Sequence, residues 1–301
     1  MDSSSSDSVV RDVETFDGRE GESLTVDADL DAAIDASPEL GDGGAASERI
    51  YGITIDGVDP IDDIVGSIAK LPRKMTTRVV FDPIAASSYV SPVKKLHAVS
   101  FVMGELVDSS DMKTYDLAKY SARTTEYLDA LGGDVDVWEI GNEINGDWLG
   151  DTPSVVAKMK AAFDLVEKRG EKTALTLYYN AGCGAAAEYE MFTWADKNVP
   201  SSMRDGLEYV LVSYYEEDCS GLRPDWPKVF DRLALMFPKS KIGFGECGVK
   251  DIAAKPDYLR RYYTMSITTP SYVGGYFWWY YRQDMVPMTK PLWVVLADAI
   301  R

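Results

Sequence analysis

An α/β fold closed into a single (β/α)8 barrel is the architecture this sequence predicts, and three observations predict it. From Arg49 onward, eight short runs rich in β-branched and aromatic residues recur, at 50–56, 77–82, 97–103, 135–141, 173–180, 208–215, 241–246 and 274–280. Their first residues lie 20 to 38 positions apart, room each time for one helix and two turns. Eight such units in about 250 residues match the usual length of a closed barrel. Alternating strand and helix implies a parallel sheet with its helices outside. A doubly wound open sheet is the alternative, but no Gly-rich phosphate turn follows any run.

The segments between the runs carry amphipathic helical patterns, clearest at 60–71, 115–131, 153–169, 225–237 and 256–265. Asp111 or Ser110 is a candidate cap for the second of these, and Gly132-Gly133 would end it. Residues 1–48 differ in kind. They hold fourteen Asp or Glu against Arg11 and Arg19, a charge of −12 out of −18 for the whole chain. A segment so acidic and so poor in aromatics cannot bury enough surface to offset ordering entropy, so it reads as a disordered arm, with 26–36 able to form a transient helix. The expected organisation is this arm over 1–48 and a catalytic barrel over 49–301.

Composition narrows the function. The acidic balance and the lack of any Lys/Arg cluster argue against nucleic acid or anionic membrane as partner. No run of 18 apolar residues is present to span a bilayer. Three cysteines, Cys183, Cys219 and Cys247, match no zinc spacing, and His97 is the one histidine, so neither metal nor cofactor is expected. With 97–103 read as a strand, His97 begins it at the bottom of the barrel. Ser and Cys triads need a base at the mouth, which removes them. The start is polar and acidic, so either the protein stays inside the cell or a secretory signal has been removed. Its Ser-rich character resembles the tether after a lipoprotein's modified cysteine, which points to an extracellular, cell-surface or periplasmic protein. A monomer is expected.

In a closed barrel, chemistry sits where strands end and loops begin. The strand ends here offer Asp56, Asp82, Glu105, Asn142-Glu143, Asn180, Tyr214-Tyr215-Glu216, Glu246 and the stretch 278–284. Acidic and aromatic groups dominate and Lys is nearly absent, so Schiff-base chemistry has no obvious lysine. Glu143 and Glu246 end the fourth and seventh strands, which face each other across the barrel. Two opposed carboxylates at one rim are what glycoside hydrolysis requires, one to protonate the leaving oxygen and one to attack the anomeric carbon. Glu139, four residues before Glu143, lies roughly 13 Å deeper at strand rise and reads as an interior group paired with a residue such as Arg78.

The run Trp138-Glu139-Ile140-Gly141-Asn142-Glu143 and the later Gly245-Glu246-Cys247-Gly248 resemble the signatures of the clan A glycoside hydrolases, retaining (β/α)8 enzymes with glutamates on strands 4 and 7. The resemblance spans 49–301, with its specific part confined to a few strand ends. It implies Glu143 as acid/base, Glu246 as nucleophile and Asn142 on the sugar 2-hydroxyl. It also implies Tyr215 as a hydrogen-bond donor to the nucleophile, although Ser213 stands where many members carry a His. A Trp from strand 8 would floor the innermost sugar site. Trp278 and Trp279 point to opposite sides, and Trp279 is the one favoured.

Trp148, in a polar loop five residues past Glu143, suits stacking on a sugar face. Asp56, Asp82 and Glu105 are expected to bind hydroxyls of an oligo- or polysaccharide; the surplus of carboxylates near the mouth, which adds Glu216 and Glu217, also admits a cationic amino-sugar polymer. Short loops suggest an open cleft and endo-action. Cys183 and Cys219 sit on adjacent loops and can pair if the protein is exported, while Cys247 reads as a buried small hydrophobe. Two other functions remain. A carbohydrate-binding pseudoenzyme conflicts with retention of both glutamates. A metal-dependent isomerase or lyase would hold Mg²⁺ on Asp56, Asp82 and Glu105, but such enzymes also need a Lys or His at the mouth.

Overall fold

The computed structural model describes residues 49–183 and 186–301. The acidic arm read from the sequence lies outside the described residues. The strands are β1 (Ile50–Ile55), β2 (Thr76–Val80), β3 (Phe101–Glu105), β4 (Val137–Glu139), β5 (Thr173–Tyr178), β6 (Tyr209–Tyr214), β7 (Lys241–Cys247) and β8 (Tyr272–Trp278). All pair in parallel, each with its sequence neighbour, and β8 returns to β1 to close the barrel. Among the described residues the helices are α1 (Ile61–Ala69), α2 (Val90–His97), α3 (Leu117–Leu131), α4 (Thr152–Glu167), α5 (Met191–Asn198), α6 (Ser201–Gly206), α7 (Trp226–Met236), α8 (Lys255–Tyr263), α9 (Tyr281–Met285) and α10 (Pro291–Ala299). None is long and apolar enough to cross a membrane.

The local chemistry explains most boundaries. Asp116, Asp151 and Asp225 cap α3, α4 and α7, each accepting a backbone N–H three residues on. The expected Asp111 or Ser110 cap is not used, because a 3₁₀ turn at Met112–Thr114 intervenes before α3 begins. The third strand differs more. Its expected start, His97, instead closes α2, and β3 begins four residues later. The β-rich look of 97–103 masked a helix end. His97 still lies at the N-terminal face, its ring nitrogens 3.6 and 3.5 Å from Asp134 and Asp136 just before β4.

Inside the barrel, Met103, Val137, Ala174, Leu211 and Phe277 form a small apolar plug at the base, separate from the larger core between strands and helices. Each fully buried large side chain of this kind contributes about 1.5–3 kcal/mol. Above the plug the interior turns polar, with Arg78, Glu105, Glu139 and Thr176 buried.

Two irregularities shape the mouth. The β4 ladder stops at Glu139 rather than at 141, and Glu143 adopts φ +47°, a left-handed conformation that costs a non-glycine residue about 1–2 kcal/mol. In β8, Gly274 and Gly275 have φ of +87° and +93°. A Cβ on Gly275 would stand 2.0 Å from the Phe244 carbonyl oxygen, so only glycine lets β8 approach β7 there. The register slips against both β1 and β7 around this point, and the strand emerges with Trp278 buried and Trp279 half-buried.

Candidate active site

A cavity of roughly 380 Å³ opens at the C-terminal ends of the strands. Its wall takes Asn142 and Glu143 from the segment after β4, Tyr178 from β5, Tyr215 after β6, Glu246 from β7, and Trp279 and Tyr280 after β8. The two glutamates therefore share one cavity. Ser213 links them: it sits opposite Glu246 in the sheet, and its hydroxyl donates to Glu143 Oε1 at 2.7 Å.

Their surroundings differ in kind. Glu246 accepts from the Arg78 guanidinium at 2.7 Å and from the Tyr215 hydroxyl at 2.6 Å. Glu143 accepts from Ser213 and, at 2.9 Å, from Ser109. Burial pushes the Glu246 carboxyl up to about 8, against the pull of Arg78, and the nearby Glu143 charge adds to the rise. Burial raises Glu143 as well, with the two serine hydroxyls opposing. Two coupled carboxyls share their protons, so which one ionises first depends on the donors each can use. A guanidinium can only donate, whereas a serine hydroxyl can turn and accept. The donors around Glu246 thus suit an anion, and those around Glu143 suit a carboxyl that can hold a proton.

Beneath the cavity, Arg78 is fully buried among three carboxylates. Its Nε and Nη2 donate to Glu139 at 2.6 and 3.1 Å, Nη1 serves Glu246, and Nη2 lies 3.0 Å from Glu105. Thr176 donates to Glu139 too. The Arg78–Glu139 pairing expected from the sequence is present.

The structure brings most of the candidate residues together and leaves three apart. Asn142 is 2% exposed and lines the cavity, its Oδ1 without a hydrogen-bond partner. Tyr215 makes the expected bond to Glu246, and Trp279 forms wall, with Arg78 5.8 Å from its ring centre. Trp148 lines the cavity edge, 37% exposed and edge-on to Tyr178. Asp56, Asp82 and Glu105 do not line the cavity. Asp56 is held by Arg282 and Gln283 of α9, exposed Asp82 accepts from Tyr89, and Glu105 sinks beside Arg78. They are engaged separately, so the carboxylates needed for a Mg²⁺ site do not converge; among the described residues no group of three His, Cys, Asp or Glu side chains is placed to hold a metal. Glu216, another strand-end carboxylate, turns away to Arg261 and Arg223. Asn180 supports the β5 loop, bonding Tyr189 and Met191.

Sequence reasoning missed Asp108, Ser109, Tyr178, Asp218 and Lys250 in the lining, whereas Glu217 and Tyr280 are among the mouth residues it picked out. Lys250 corrects the impression of a mouth without lysine, although it is exposed at the rim rather than enclosed. Ser213 carried a usable signal, standing on the inward period of β6 two residues before Tyr215. Ser109 carried none, lying four residues past β3 in a loop. Cys183 and Cys219 are disulfide-bonded, Cα atoms 4.8 Å apart, tying the loops after β5 and β6. Cys247 is free and buried, its thiol donating to the Tyr276 carbonyl.

No family model matches the sequence, and no curated protein compared with it matches. Solved structures do resemble the fold. Saccharomyces cerevisiae Gas2p in complex with laminaritriose and laminaritetraose aligns at TM-score 0.54 and 15% identity, over 84% of this chain and 64% of that one. Gas2p with laminaripentaose aligns at TM-score 0.54 and 14% identity, with the same coverage. The Gas2p apostructure gives TM-score 0.56 and 14% identity, over 84% of this chain and 60% of that one. The chain thus spans under two thirds of these structures, and at such identity the likeness is one of barrel fold.

Proposed function

We propose that the chain is a retaining glycoside hydrolase that cleaves β-linked glycosidic bonds by double displacement, with Glu143 as acid/base and Glu246 as nucleophile. One observation carries this reading: two carboxyls share an aromatic-walled cavity, one wired to a guanidinium and a phenol, the other to two serines. The first arrangement favours an anion that can attack, the second a group that gives and takes a proton.

In the first half-reaction Glu246 attacks the anomeric carbon while Glu143 protonates the departing oxygen. In the second, Glu143, now ionised, takes a proton from water, which displaces Glu246. Asn142, with its free buried oxygen, accepts from the sugar 2-hydroxyl. Trp279 packs under the sugar at the bond, and exposed Trp148 offers a further stacking face. An aromatic surface running outward from the pair suits endo-action on a polysaccharide. The laminari-oligosaccharides bound by Gas2p make β-1,3-glucan the first substrate to try. The reading includes a monomer, and an extracellular, cell-surface or periplasmic location, which the Cys183–Cys219 disulfide supports.

A panel of β-glucans, mannans, galactans, xylans and amino-sugar polymers, assayed for new reducing ends, tests the activity. Proton NMR of the product should show the β-anomer forming first. A first-formed α-anomer would make the enzyme inverting, and silence on the whole panel with intact protein would remove the hydrolase reading.

A further inference from the structure

Three carboxylates crowd one guanidinium in the barrel, and the donors around them are unequally shared. Glu139 receives three hydrogen bonds, two from Arg78 and one from Thr176. Glu246 receives two, from Arg78 and Tyr215. Glu105, 0% exposed, receives none: Arg78 Nη2 is 3.0 Å away but misaligned, and both carboxyl oxygens lack a partner. The titratable groups facing it are Arg78 of β2, Glu139 of β4, Glu246 of β7, Tyr120 of α3 and Asp108 of its own loop. One cation cannot compensate three anions out of water, and an ionised carboxylate buried without donors is the costliest of them.

We propose that Glu105 is kept as a neutral carboxylic acid, and that its proton is what leaves the Arg78 charge available to Glu246. Burial also pushes Glu105 well above the usual carboxylate range, with Glu139 and Glu246 adding to the rise. Glu105 acts as a positioning residue. Ionised, it would set a negative charge beside Nη2, cancel the guanidinium's field at Glu246 and make Glu246 a poorer leaving group in the second half-reaction. That consequence for turnover rests on the hydrolase reading; the neutral state of Glu105 does not.

The sign of the stability effect follows from linkage. A carboxyl whose folded pKa is raised binds a proton that the unfolded chain releases above about 4.3, so it destabilises the fold increasingly as pH rises from there. Glu105→Gln keeps the shape and removes the titration. Melting curves of both proteins should nearly coincide near about pH 4, and the variant should melt higher by an amount that grows toward about pH 7. A variant that melts lower with a widening gap, or a gap independent of pH, overturns the proposal.

Should the variant not fold, the wild type alone decides. Its infrared spectrum at neutral pH should contain the C=O band of a protonated carboxyl shielded from deuterium exchange, and absence of that band is fatal. If the protein hydrolyses an activated aryl glycoside, whose leaving group needs no acid, kcat should fall at high pH in the wild type and fall less in Glu105→Gln. Superimposable profiles remove the positioning role. No turnover in either protein sinks the hydrolase reading and leaves the melting result standing.

Discussion

Replacing Ser213 by Ala should extend activity to higher pH. The Ser213 hydroxyl donates to Glu143 Oε1 at 2.7 Å and holds the Glu143 carboxyl lower than burial alone would leave it. A hydrogen bond to a charged group is worth about 1.5–3 kcal/mol. Its loss therefore lets Glu143 rise further, by no more than that energy allows. The site opens to solvent and Ser109 remains at 2.9 Å, so a water can take part of the vacated role and the lower end of that range, about 1.5 kcal/mol, is expected. With Glu143 as the proposed acid, which must be protonated to assist departure, the alkaline limb of kcat/KM would report its ionisation and move up with it. Beyond that limb the variant should outpace the wild type by up to about tenfold, the ratio that about 1.4 kcal/mol gives. The assay is a pH series of kcat/KM on an oligosaccharide whose leaving group needs the proton. A limb that stays fixed, or moves to lower pH, refutes the assignment of Glu143 as the acid that Ser213 holds.

Glu246→Ala should abolish turnover on every substrate, whereas Glu143→Ala should keep glycosylation by activated aryl glycosides and be rescued by azide with formation of a β-glycosyl azide. Azide rescue of Glu246→Ala with an α-azide product would exchange the two roles. Removing the Cys183–Cys219 disulfide by paired Ser substitutions opens a loop of 36 residues, which loop-closure entropy values at about 4 kcal/mol. A lower melting temperature and a raised KM should follow, since the tied β6 loop carries Glu217 and Asp218 into the cavity; an unchanged KM would show that the wall stands without the bond. Deleting residues 1–48, which contribute little apolar surface, should leave activity and melting temperature nearly unchanged. A loss of many degrees would place part of that segment in the folded core.

What was legible in the sequence is what local pattern encodes. Eight β-rich runs separated by helical periodicity determine a closed parallel barrel, and the rule that chemistry sits at strand ends picks out Glu143, Glu246, Asn142 and Tyr215. Period-two alternation allowed only one of Trp278 and Trp279 to face the cavity and turned Cys247 from the side of Glu246, whereas the irregular backbone of β8 decided that the tryptophan is Trp279. That rule treats all strand ends as level, and in a tilted, staggered sheet they are not. Glu105 ends β3 yet lies beside Arg78 under the cavity floor, while Ser109, beyond the same strand, reaches Glu143. Asp56 reads as a mouth carboxylate until α9, some 226 residues on, brings Arg282 to it. The sharing of Arg78 among Glu105, Glu139 and Glu246 depends on side chains from four strands meeting in three dimensions. Charge, protonation and hydrogen bonding at this site are set by distances across the barrel, and those distances exist only once it closes.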